Sequence, residues 1–135
     1  MAGTYSVTVT GTNSCTQTGT ATVSVRPKPV VTVTGANVCE GATIQLSATG
    51  GGSYSWAGPS NFTSTIANPT RTNAATDMTG TYSVTVTGTN SCTQTGTTTV
   101  TVRSSPVVTA TGNNACVGGQ IQLSATGGGT YSWSG

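Results

Sequence analysis

Thiols are the side chains of this sequence whose type and spacing best suit chemistry. Four cysteines, Cys15, Cys39, Cys92 and Cys116, occur as two pairs, and the members of each pair stand 77 residues apart. Thiols can bind zinc or oxidise to disulfides. A zinc site wants His or a CxxC spacing, and the sequence has neither, so no metal is expected. An even number of cysteines in a small β-rich chain points instead to disulfides and an oxidising compartment. Other catalytic equipment is nearly absent, with no His, one Glu (Glu40), one Asp (Asp77) and one Lys (Lys28). Ser and Thr are plentiful, but none has an evident base to activate it. Glu40 is matched by Val117 in the second copy of its surroundings, so a recurring carboxylate pair for glycoside hydrolysis is not available. Lys28 lies in Arg-Pro-Lys-Pro and is matched by Ser105, which suits a solvated linker lysine better than a covalent crosslink to Asn. The sequence therefore predicts no catalytic residue and no cofactor.

The elements that would position the thiols are strands. The chain has 135 residues, of which 32 are Thr and 19 are Gly, a composition that favours strands and turns over helices. Only 4% of residues are charged, against ~25% in an average soluble domain, and the net charge of +2 is scattered. That leaves no basic patch for nucleic acid. Apolar residues come as alternating singles or pairs, never as a run approaching the ~20 residues of a membrane span, and nothing resembles a signal peptide.

Sliding the sequence over itself by 77 residues aligns positions 1–58 with 78–135 without a gap, and 45 of the 58 pairs are identical. Residues 27–103 frame one complete repeat. Residues 1–26 match the last strands of a preceding repeat and residues 104–135 the first strands of a following one. Both ends fall inside the repeat, which predicts a window on a longer array; the alternative is a chain whose ends complete a neighbour's domain, against which stands the lack of any second copy of residues 59–77.

Within residues 27–103 alternation predicts about seven strands. Residues 29–34 form the first, 35–42 a turn carrying Cys39, and 43–48 a second strand with Ile44, Leu46 and Ala48 on one face. Residues 53–57 place Tyr54 and Trp56 together. Residues 59–79 are irregular, with Phe62 and Ile66 inward. Residues 81–87, with Tyr82 on the apolar face, and 96–103 form a hairpin pair around a Gly-Thr-Asn-Ser turn at 88–91. Short strands with one apolar face each predict an all-β, two-layer antiparallel immunoglobulin-like sandwich. Its thin core is expected to lean on the aromatic residues Tyr54, Trp56 and Tyr82.

The segments Cys39-Glu40-Gly41, Tyr54-Ser55-Trp56, residues 80–86 and Asn90-Ser91-Cys92 come in an order that resembles the Ig-like and PKD-like repeats of very large secreted and surface proteins of the Bacteroidota, including adhesins and cargo of the type IX secretion system. The resemblance covers the whole chain and implies tandem sandwiches at or beyond a bacterial cell surface. Where PKD-type domains often carry an acidic turn after the Trp strand, this chain has Ala57-Gly58-Pro59-Ser60, which departs from a metal- or carbohydrate-binding pattern.

Two cysteine pairings are open. Cys39 with Cys92 would close a loop within one repeat, stabilising by roughly 3 to 4 kcal/mol in the chain-entropy model. If strands alternate in direction, however, these two cysteines lie at opposite ends of the sandwich, and Cys39 would face the hairpin cysteine of the next repeat, stapling the junction. Asn61-Phe62-Thr63 fits an N-glycosylation triplet, making Asn61 a candidate acceptor.

The expected function is that of a structural repeat in an extracellular fibre, filament or adhesin stalk. Its expected partners are neighbouring repeats or further copies of itself, with a glycan or protein ligand at most at a distant tip. A glycan- or protein-binding Ig-like module is the alternative, and an amyloid-like fibre is opposed by the frequent Gly, Pro and turn signals.

Overall fold

The computed structural model describes residues 1–135, and no helix in it is long and apolar enough to cross a membrane. Strands run in chain order as β1 (Gly3–Thr10), β2 (Thr16–Val23), β3 (Val33–Thr34), β4 (Asn37–Cys39), β5 (Ile44–Gln45), β6 (Ser47–Ala48), β7 (Ser53–Gly58), β8 (Phe62–Ser64) and β9 (Thr70–Arg71). After a single 3₁₀ turn at Thr76–Met78 follow β10 (Gly80–Thr87), β11 (Thr93–Arg103), β12 (Thr109–Gly112) and β13 (Leu123–Thr126).

Residues 27–103 hold all of the core. One layer is a five-stranded sheet in the order β4-β11-β10-β7-β8. The other is built around residues 44–48, with β6 paired to β3 on one side and β5 to β9 on the other. The amides of Leu46 and Ala48 bond to the carbonyls of Pro69 and Ala67, which carries the β5–β9 pairing along the whole segment. Alternation then puts Ile44, Leu46 and Ala48 on the inner face of this layer, opposite Trp56, Tyr82, Val84, Val86, Val100 and Val102, and every one of these is buried.

Residues 35–42 were expected to form only a turn, yet they contain β4, which pairs in parallel with the end of β11 at Thr101↔Asn37, Val102↔Val38 and Arg103↔Cys39. The chain leaves the layer built around residues 44–48 after β3 and joins the five-stranded sheet as β4, and Val38 packs against the core. Ile66 was expected to face inward and is instead 59% exposed. Its backbone does the work there, because its carbonyl accepts the indole N–H of Trp56 at 2.9 Å. Phe62, on β8, does pack on the core.

The flanking segments form β1–β2 and β12–β13, each a two-stranded antiparallel ladder with no further sheet neighbour and no buried residue.

Candidate functional site

Tyr82 organises one end of the sandwich. Its ring is fully buried, and its hydroxyl donates back to the Met78 carbonyl at 3.0 Å while accepting the Arg71 guanidinium at 2.6 Å. Arg71 also donates to the Pro59 carbonyl at 3.0 Å and stands 5.0 Å above the Phe62 ring, which meets Tyr82 edge-on at 5.5 Å. A lone cation is thus held by hydrogen bonds and aromatic faces without a carboxylate. Sequence reasoning gave Arg71 no role. The available signal was an isolated cation in a long uncharged stretch near two aromatic residues.

Trp56 is buried beneath the sheet, 2% exposed, and Tyr54 is half-buried two residues away on the same face. Neither forms an open platform for a ligand. Asn61 lies at the exposed turn between β7 and β8, in a left-handed conformation with φ of 54°. Asp77 anchors the neighbouring loop by accepting the Ser60 hydroxyl at 2.8 Å. Glu40 is held through its backbone, its amide donating to the Arg103 carbonyl at 2.8 Å. No three His, Cys, Asp or Glu side chains come together as a metal-binding group.

The cysteines mark the two ends of the central sandwich. Cys39 lies opposite Arg103, where β11 finishes, and Cys92 directly precedes Thr93, where β11 begins. Eleven residues of strand separate those levels, ~35 Å at ~3.3 Å per residue, several times the ~4.4 to 6.8 Å that a disulfide spans between Cα atoms. All four thiols are free.

Cys92 sits in a built junction with the preceding segment. The Asn90 side chain caps the hairpin turn by accepting the Cys92 amide at 3.1 Å and donates to the Pro27 carbonyl at 2.8 Å. Arg26 reaches back to the Asn90 carbonyl at 3.4 Å, and the Cys92 thiol meets the Arg26 carbonyl at 3.8 Å. The turn can adopt this shape because Ser91 takes a left-handed φ of 64°, and Ser14 repeats it with 62° in the first hairpin.

A tyrosine near the start of β10 bonding back to the backbone four residues upstream, together with an early strand paired in parallel with the last one, defines the architecture. The chain has an immunoglobulin-like fold. Among solved structures, an amphioxus IgVJ-C2 molecule superposes with a TM-score of 0.50 at 21% identity, the match covering 74% of this chain and 60% of that one. The chain thus spans less than two thirds of that molecule's length, and identity at this level speaks for the immunoglobulin-like fold alone. No protein-family model matches the sequence, and no curated protein does.

Proposed function

We propose that this immunoglobulin-like chain is a non-catalytic structural unit of an extracellular fibre, filament or adhesin stalk. The observation that carries this reading is the junction at residues 26–29 and 88–92, where Arg26, Pro27, Asn90 and Cys92 tie a sandwich to the segment before it by hydrogen bonds rather than leaving a free linker. A 77-residue repeat whose junction recurs gives an array with one fixed step per unit. The resemblance to surface and secreted repeats of Bacteroidota supports an extracellular setting, as does the recurrence of the four cysteines. A glycan- or protein-binding module is the weaker reading, since Tyr54 and Trp56 of the central sandwich serve its core.

Electron cryomicroscopy of a chain carrying several repeats tests the reading. The expected image is a beaded rod of constant step. A freely jointed string, or a cross-β spacing of ~4.7 to 4.8 Å, would overturn it.

A further inference from the structure

Arg26 and Arg103 occupy one position of the 77-residue repeat, and each copy displays different neighbours of that position. Arg103 displays the neighbours within its own unit. The parallel pairing of β11 with β4 sets Arg103 opposite Cys39, and the Arg103 carbonyl accepts the amide N–H of Glu40, the next residue, at 2.8 Å. Arg26 displays the neighbours in the unit that follows. Its carbonyl meets the Cys92 thiol at 3.8 Å, and its guanidinium reaches the Asn90 carbonyl in the same hairpin turn at 3.4 Å.

Across a junction between two units, these contacts gather two thiols at one carbonyl oxygen. The cysteine at the Cys39 position of the earlier unit lies one residue from the amide bonded to that oxygen, on a neighbouring strand ~4.8 Å away. The hairpin cysteine of the later unit has its sulfur against the oxygen itself. Such a pair falls within the reach of a disulfide, whose Cα atoms stand ~4.4 to 6.8 Å apart, whereas Cys39 and Cys92 of one unit are separated by the length of β11.

The groups that shape this contact recur. Asn90, which donates to the Pro27 carbonyl, stands at the position of Asn13, and the arginine at 26 returns at 103. The other acceptors are backbone carbonyls, which every copy has, so the link after Arg103 offers a following hairpin the same carbonyls and guanidinium.

We propose that consecutive units of the array are stapled by a disulfide between the cysteine at the Cys39 position of one unit and the cysteine at the Cys92 position of the unit after it. Each bond forms by thiol–disulfide exchange with a small-molecule disulfide such as oxidised glutathione. Two thiols give up two protons and two electrons, one S–S bond forms, and the oxidant's S–S bond breaks to yield two thiols. Every unit then bonds forward through one cysteine and backward through the other. The staple deepens the fibre reading and rests on it for the array; it makes each step between units covalent, closed in an oxidising compartment and opened by a reductant.

The test places residues 27–103 twice in succession in one chain. The whole buried core lies within those residues, Cys39 is exposed and Cys92 half-buried, so Cys39→Ser and Cys92→Ser leave the fold intact. One variant keeps only Cys39 of the first unit and Cys92 of the second; its control keeps only Cys92 of the first and Cys39 of the second. Both are equilibrated in dilute solution with reduced and oxidised glutathione and read by thiol alkylation and mass spectrometry. The first is expected to close an internal disulfide at least about a hundredfold more favourably than the control. In the 135-residue chain, under the same conditions, Cys39 and Cys92 are expected to stay apart. Equal closure in variant and control, thiols that stay open in the first variant, or a Cys39–Cys92 link in the 135-residue chain would each overturn the proposal. Rods of constant step from a several-unit chain whose thiols stay open would sink the staple and leave the fibre reading standing. Closure of the first variant alone, with a several-unit chain imaged as a freely jointed string, would do the reverse.

Discussion

The hairpins β1–β2 and β10–β11 start with the same eighteen residues, 3–20 and 80–97, and fold to the same register, with Val7 opposite Gly19 and Val84 opposite Gly96. Yet Val84 is fully buried and Val7 is 61% exposed. Local sequence makes the hairpin in both places, because the turn, the alternation and the Thr-rich outer face are properties of a two-strand ribbon. Burial requires β7 beside the ribbon and residues 44–48 across from it, and within residues 1–135 these pack on β10–β11 and not on β1–β2. A hairpin is a surface awaiting a layer, and an isolated one is marginal in water.

The sharpest way to break this comparison is to remove the same tryptophan twice. In dilute, reduced protein, Trp56→Ala is expected to cost the central sandwich ~3 to 5 kcal/mol through lost burial and the cavity left behind. Trp133→Ala should leave that unfolding transition within ~0.5 kcal/mol of wild type. Denaturant titration followed by circular dichroism checks both, and equal effects would mean that the flanks are as packed as the centre.

A smaller effect is expected at Gly58, where an added Cβ would run into the Tyr82 ring. Gly58→Ala should destabilise by ~1 to 3 kcal/mol as an overpacked core site. Its repeat equivalent Gly135 has nothing within 4 Å of such an atom, so Gly135→Ala should be silent in the same titration.

The smallest of the three concerns the tyrosine hydroxyls. Tyr82→Phe strips the partner from Arg71 and Met78 and is expected to cost ~1 to 2 kcal/mol. Tyr5, whose exposed hydroxyl reaches the Met1 carbonyl at 3.4 Å with no arginine beside it, should tolerate Tyr5→Phe with no measurable change. Thermal unfolding of the two variants side by side sharpens the comparison, because it separates the hydroxyl's role in a corner from its mere presence in the repeat.

Strand positions, the hairpin turns, the inner face of residues 44–48 and the aromatic core residues Trp56 and Tyr82 were legible from alternation, since a side chain's face follows from a period of two. β4 was not legible. Residues 37–39 are too short to show a period, and their pairing is with residues more than sixty positions away. Ile66 misled for the opposite reason: a large apolar side chain suggests burial, but in an irregular loop no periodicity fixes its direction, and here the backbone carbonyl is the group turned toward Trp56. The Arg71 clamp escaped notice because cation and aromatic partners are brought together by β8, β9 and β10 from separate stretches of chain.

The sequence by itself determined the repeat, the strands, their faces and the even set of four thiols, because these depend on neighbours within a few residues or on identity at a fixed offset. Only the tertiary structure decided where the thiols lie. Direction and sheet switching are long-range matters, and the parallel pairing of β4 with β11 sends Cys39 to one end of the sandwich while the hairpin turn keeps Cys92 at the other. That separation follows from the length of an eleven-residue strand, which no side-chain rearrangement can shorten.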